Sequence, residues 1–276
     1  MERHEFLRHL HRLVAPRNYL EIGVQKGQSL SLSRVPSIGV DPEFAINRAL
    51  RCDLHLVRAT SDDFFAQRDP IRHLRSGRNP LRNLSRGRPM FDYYRGGTRL
   101  DLVFVDGMHL FEFALRDFMN VERHADWWSV IVFDDILPRD VDEAARERHT
   151  VAWTGDVYKL IPTLERHRPD LLVLQVDTQP TGLLVVLGAD PGDHVLRDRY
   201  ERIVAEGVVP DPQPVPAWVL DRTSTISPDA LIGSPLWAEI VTGRNRRLGW
   251  RAGRRRLETR LESMPGPAPK PVPVDA

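Results

Sequence analysis

Cysteine is nearly absent from this 276-residue chain, with Cys52 the sole thiol. One cysteine excludes an internal disulfide framework and suits a reducing compartment, so a cytoplasmic location is expected. Lysine is almost as scarce. Lys26, Lys159 and Lys270 are the only three, and arginine carries nearly all the positive charge. The formal net charge of +1 gives no overall bias toward nucleic acid or membrane. Long apolar runs are missing too. Nothing approaches the roughly 18–20 apolar residues that span a bilayer, and MERHEFLRHLHRLV is not expected to be a signal peptide. C-x-x-C, H-E-x-x-H and G-x-S-x-G do not occur, which leaves zinc- and serine-hydrolase chemistry without support. The dinucleotide fingerprint G-x-G-x-x-G is absent as well.

What is present begins with NYLEIGVQKGQSL, residues 18–30. An apolar run carrying one acid, Glu21, breaks at Gly23 and Gly27. This reads as a strand entering a glycine-bearing loop, where an open α/β sheet binds nucleotide-like ligands. Glycines let backbone approach a ligand closely. An acid beside them would repel a pyrophosphate and suits a cationic, phosphate-free ligand such as S-adenosylmethionine.

Apolar strand-like runs recur at 18–24, 36–41, 53–59, 100–107, 129–136, 171–178 and 182–188. Helical patterns fall at 2–14, 43–51, 109–124 and 156–167. The alternation predicts an α/β fold, a doubly wound, Rossmann-like, seven-stranded and mostly parallel sheet. TQPTG is too short for a crossover, so the last two strands are predicted to form an antiparallel hairpin. The expected organisation is a ligand-binding domain over 1–190, a C-terminal extension over 191–262 and a disordered Pro-rich tail over 263–276. Residues 68–99 hold nine arginines and read as a loop or lid. Residues 189–235 read as irregular, and 237–262 as one basic helix.

Chain order then places polar residues at successive strand ends. Glu21, Gly23, Gly27 and Ser29 follow the first strand. Asp41 ends the second, at the offset from Gly23 that suits a ribose diol, or else caps a following helix. Ser61 and Asp62 follow the third and are candidates for an adenine edge or a helix cap. Asp106 and His109 follow the fourth; Asp134 and Asp135 end the fifth. Three acids converging on one crevice call for a cation, and a hard divalent ion such as Mg²⁺ fits oxygen donors. His109 is a candidate general base, its ordinary pKa lying near working pH.

With these residues in view, the chain resembles the class I S-adenosylmethionine-dependent methyltransferases, and within them the macrocin-type sugar O-methyltransferases. LEIGVQKGQS, IGVDP, FVDGMH with LFEFALRDF, VFDDI and WTGDVYKL carry the resemblance, over roughly residues 15–190. It implies that Glu21, Gly23 and Gly27 hold the methionine part of the cofactor, Asp41 the ribose, and Ser61 and Asp62 the adenine. It implies that Asp106, Asp134 and Asp135 bind the metal and that His109 is the base. The short segment between Ser29 and Asp41 departs from the family pattern, and 68–99 and the region after 190 match none of its motifs.

The reading is therefore a Mg²⁺-assisted O-methyltransferase acting on a hydroxyl of a sugar or other small natural product. A homo-oligomer is compatible with it, and a membrane is not expected. The rival readings are an RNA or protein methyltransferase using the arginine-rich surfaces and an inactive cofactor-binding protein. Nucleic acid is not the expected partner, because the arginines lack regular aromatic interleaving.

Overall fold

The computed structural model describes residues 1–76 and 99–263. Its centre is a seven-stranded sheet ordered β3-β2-β1-β4-β5-β7-β6. The strands are β1 (Tyr19–Ile22), β2 (Ser37–Val40), β3 (Leu54–Val57), β4 (Leu102–Val105), β5 (Val130–Asp134), β6 (Leu172–Val176) and β7 (Leu183–Leu187). The first five are parallel, while β7 runs antiparallel to both β5 and β6. The predicted doubly wound sheet and its closing hairpin are both present. The order reverses between β1 and β4, which puts the crevice for a ligand at their carboxyl ends.

The pleat sorts the strand residues between two cores. Leu20, Ile22, Val103, Val105, Ile131 and Phe133 face one layer. Helices α2 (Ser61–Phe65), α3 (His73–Ser76), α4 (Phe111–Glu122) and α5 (Leu160–His167) pack there. Tyr19, Leu102, Phe104, Val130 and Val132 face the other. That layer holds α1 (Arg3–Leu13), whose Phe6, Leu7 and Leu10 are buried. Both faces are covered, so β1, β4, β5 and β7 are continuously buried, as their apolar runs require.

The C-terminal region departs from its sequence reading. Residues 189–235 contain four helices: α6 (Val195–Asp198), α7 (Tyr200–Gly207), α8 (Ala217–Leu220) and α9 (Pro228–Gly233). The single basic helix is two, α10 (Leu236–Arg246) and α11 (Trp250–Glu262). They break at Arg247, which is left-handed at φ +53°, and at Gly249, the residue before α11. The break lets Trp237, Ile240, Trp250 and Leu257 all reach the core shared with β1, β4 and β5. Most of the arginines lie on the remaining faces, but Arg244 is buried and pairs with Asp101. Residues 43–51 form no helix; the chain turns at Pro42 and runs on irregularly. Most of the arginine-rich 68–99 stretch and the Pro-rich tail lie outside the described residues.

The glycine-bearing loop is shaped by its own neighbours. Gly23 has φ +84°, and a Cβ on it would lie 1.7 Å from the Asp106 carbonyl oxygen. Gly27 has φ +76° and packs on Ile46. Gly23 therefore allows the β1 and β4 loops to touch, a demand internal to the chain. Gly23→Ala adds both a backbone clash and a strained φ. Chemical denaturation is expected to show a loss of about 3 kcal/mol or more, at the upper end of ordinary point substitutions. A loss under about 1 kcal/mol would show that the two loops can part.

Candidate active site

The carboxyl ends of β4 and β5 form the chemical centre. Asp106 follows β4, and its backbone N–H donates to the Ile22 carbonyl of β1 at 2.8 Å. Three residues on, His109 stands just before α4. Its Nε2 lies 3.3 Å from Asp106 Oδ1 and 3.3 Å from Asp135 Oδ2. Ligand atoms of Asp106, His109 and Asp135 all fall within 4.8 Å of one another.

His109 is held from its other edge. Its Nδ1 is 2.6 Å from the Trp153 carbonyl oxygen, and the two rings stack at 5.1 Å. A carbonyl only accepts, so Nδ1 carries a proton and donates it, and Nε2 is the nitrogen free to exchange one. The WTGDVYKL segment supplies this support and more. Asp156 Oδ1 accepts from the Phe111 N–H at the start of α4, at 2.8 Å. Trp153 was missed as a site residue; the only signal for it was that this string accompanies the acidic motifs.

Burial by itself would lower the His109 pKa. The hydrogen bond to Asp106 and the charges of Asp135 and Asp106 outweigh it and push the value up to about 9. With no cation on the two carboxylates, His109 is therefore held in its imidazolium form at neutral pH.

Asp134 does not join this cluster. Its carboxylate pairs with the Arg3 guanidinium of α1 and accepts the Asp135 backbone N–H at 2.9 Å. Successive strand residues point to opposite faces. Val130, Val132 and Asp134 share the α1 face, whereas Asp135 turns away with φ +59°. Of the three expected acids, Asp106 and Asp135 thus cluster with His109, while Asp134 is paired with Arg3. Burial raises the Asp134 pKa well above its usual range, with Asp135 and Asp106 adding to it and Arg3 opposing. Burial also raises that of Asp135, against the pull of His109. Thr181 donates its hydroxyl to Asp135 Oδ1.

The residues around the glycine loop are held by neighbours within the chain. Glu21 is completely buried on the α1 face, accepting from Tyr19 Oη at 2.6 Å and Ser29 Oγ at 2.8 Å. It braces the loop from beneath. Asp41 accepts the Gln25 N–H at 2.7 Å and the Glu43 N–H at 2.6 Å, so it ties the loop to the end of β2 and caps a turn rather than a helix. Asp62 is gripped by Arg116 from α4, with Nη2 at 2.9 Å. Thr60, not Ser61, caps α2.

A further buried acid escaped the sequence reading. Asp117 of α4 is 2% exposed and its Oδ1 has no hydrogen-bond partner among the described residues. Its Oδ2 lies 3.3 Å from where a Cβ on Gly107 would stand. Burial pushes its pKa up to about 7, with Ser61 donating a bond that opposes the rise.

No family model matches the chain, and no curated protein sequence does. Among solved structures it is similar to an O-methyltransferase from Bacillus cereus in complex with SAH, at 16% identity and TM-score 0.35, covering 67% of this chain and 80% of that one. It is similar to an O-methyltransferase from Streptomyces achromogenes involved in tomaymycin synthesis, in complex with SAM, at 18% identity and TM-score 0.40, covering 67% and 79%. A SAH-bound methyltransferase from Podospora anserina matches at 13% identity and TM-score 0.43, covering 68% and 78%.

Glu21 gives a pH test of this geometry. Burial, opposed by the bonds from Tyr19 and Ser29, raises its pKa from 4.5 to about 8. A raised carboxyl pKa favours the folded state fully below the unfolded value, and the benefit is lost as pH climbs toward the folded one. Glu21→Gln cannot ionise. Its stability relative to the native protein should therefore rise between about pH 4.5 and 8, on the order of 1 to 4 kcal/mol. Urea titrations at several pH values measure this, and a difference independent of pH would place Glu21 in a wetter setting.

Proposed function

We propose that the chain is an S-adenosylmethionine-dependent O-methyltransferase whose acceptor is the hydroxyl of a small molecule, with a divalent cation held by the Asp106 and Asp135 carboxylates and His109 beside them as the base. The observation that carries this reading is the convergence of these three side chains at the switch point of a doubly wound sheet, beside the Gly23–Gly27 loop. The acids at the strand ends favour a cationic ligand without phosphate. The orphaned Asp117 Oδ1 is a buried acceptor matched to a ligand N–H, as an adenine amino group offers. The donor set also suits a divalent ion. Two carboxylates with oxygens within 4.8 Å of one another supply oxygen donors of the kind Mg²⁺ takes.

In this reading the cofactor supplies an electrophilic methyl group and the cation lowers the pKa of the acceptor hydroxyl. The chain supplies positioning and proton handling. Gly23 and Asp106 join the two loops, so the ligand crevice and the proton-accepting group move as one body. Trp153 keeps the Nδ1 proton in place, which leaves a deprotonated Nε2 as the base. Asp106 and Asp135 stabilise the imidazolium that forms. Met108, 53% exposed and next to His109 in sequence, would offer apolar contact to an acceptor entering there.

A sugar acceptor and a natural-product role rest on the sequence resemblance alone. The rival RNA or protein methyltransferase would leave the Asp–His–Asp cluster without a task.

Two measurements test the proposal. S-Adenosylmethionine at 100 times its dissociation constant should stabilise the protein by about 2.7 kcal/mol in thermal unfolding, whereas NAD should not. A shift with NAD alone would sink the methyltransferase reading. Substituting His109→Ala should slow methyl transfer by roughly 10²–10⁴-fold. The native rate should rise with pH through the range in which Nε2 loses its proton. A flat pH profile with only a few-fold loss would reduce His109 to an orienting group.

A further inference from the structure

β6 is the last strand of the sheet, so one of its edges is open. The bonds at its far end show which backbone groups face that way. The Ile226 N–H donates to the Gln175 carbonyl at 2.8 Å, and the Asp177 N–H donates to the Ile226 carbonyl at 3.1 Å. Backbone groups alternate between the two edges along a strand, so Val173 also turns its N–H and carbonyl outward. Among the described residues, the Val176–Ile226 bridge is the only strand pairing on that side, and it stops short of Val173.

A groove of about 1100 Å³ follows this open edge, and Leu172, Val173 and Leu174 all line it. Successive side chains point to opposite faces of a sheet, so three in a row can line one groove only where it runs along the edge itself. One wall is α5, with Pro162 and Thr163; the other is 208–218, with Val215 and Trp218. Leu261 and Glu262, in the last turn of α11, border the groove as well. Its volume exceeds the roughly 300–1,000 Å³ usual for a small-ligand pocket. Gln213 lines it too, 5% exposed, and its Oε1 has no hydrogen-bond partner among the described residues. These features suit an occupant that carries donors and is long enough to follow a strand.

The chain carries such a segment where α11 ends. Residues 264–276 read MPGPAPKPVPVDA, with proline at 265, 267, 269, 271 and 273. Proline holds φ at about −65°, and a residue before proline is driven to extended backbone. The alternation therefore predisposes the stretch to an extended course, so little freedom is lost on docking. It also sorts the donors. In a strand, alternate N–H groups share an edge. Gly266, Ala268, Lys270, Val272 and Val274 then present their donors on one side, while the prolines present none on the other. Such a strand pairs with a sheet once and ends it. Reach is sufficient, since 13 residues span roughly 40 Å at about 3.1 Å each, against about 17 Å for the five residues of β6.

We propose that residues 264–276 dock in this groove as an added strand on the open edge of β6, with their non-proline residues paired to Val173 and the Gln175 N–H and their prolines turned outward. The segment continues from α11 at the groove itself. It therefore meets the edge at an effective concentration on the order of millimolar, ahead of a second copy of the chain. Docking also covers an apolar edge that would otherwise accept foreign strands.

The experiment is amide hydrogen exchange read by NMR in the full chain and in full-length variants. In the native protein the Val173 N–H should be protected. Ala268→Pro with Val272→Pro puts rings where donors must face β6. It should speed exchange at Val173 at least about tenfold, while Leu174, paired with Val185 of β7, keeps its rate. Pro269→Ala with Pro271→Ala alters the outward side only and should leave Val173 within about threefold of native. Equal Val173 rates in the native chain and the Ala268→Pro, Val272→Pro variant overturn the proposal. So does equal loss of protection in both variants. Protection that grows with protein concentration assigns the edge to a second copy and overturns it as well.

Discussion

Charge compensation at the carboxyl ends of β4 and β5 is the constraint on which the rest of the site depends. Asp106, Asp134 and Asp135 stand on adjacent strands, and two of them are nearly sealed from solvent. Isolated, each would give up its charge. The fold answers with one cation on each side of the sheet. Arg3 meets Asp134 from the α1 layer, and protonated His109 bridges Asp106 and Asp135 from the α4 side. Two cations against three acids leave a residual negative charge, and that surplus makes the centre receptive to a further positive ligand.

The pleat decides which acid goes where. In a strand the side chains alternate, so an adjacent pair such as Asp134 and Asp135 cannot both look into one crevice unless the chain bends. It does bend at Asp135, whose left-handed φ carries it toward His109 and Thr181. The same alternation places Glu21 with Tyr19 beneath the loop rather than on its ligand side. Both outcomes follow from period two, yet neither is visible when a motif is read as a string of acids.

This explains how much the sequence disclosed. The sheet, its crossover pattern and the final hairpin were legible because buried parallel strands write continuous apolar runs and TQPTG permits only a turn. His109 and Asp106 were legible because strand ends fall together at a switch point. The missed features depend on distant contacts. Arg3 meets Asp134 across 131 residues of sequence, and Trp153 meets His109 across 44. The break at Arg247 lies inside a stretch of strong helical periodicity, because it is set by where Trp250 must pack. The absent helix at 43–51 shows the reverse case: Asp41 has its carboxylate committed to Gln25 and Glu43, and the turn it stabilises diverts the chain before a helix can begin.

Such long-range support has a chemical consequence. His109 can serve as a base only if its ring does not rotate and its Nδ1 keeps one proton. Trp153 meets both needs, with the carbonyl fixing the proton and the stacked ring restricting rotation. Trp153 is itself anchored, its indole N–H donating to the Ala145 carbonyl at 2.6 Å. Nearby, Asp156 is tied to Arg146 at 2.8 Å and Lys159 at 3.1 Å while accepting from the first turn of α4. The 145–159 segment thus joins the helix that follows His109 to the ring that stacks on it. Any change that loosens this segment would release the imidazole toward solvent, where its two carboxylate neighbours would hold its proton less firmly. The raised pKa of the base comes mainly from Asp106 and Asp135, with the Trp153 carbonyl adding a smaller share, and the 145–159 segment keeps the ring where those groups can act on it.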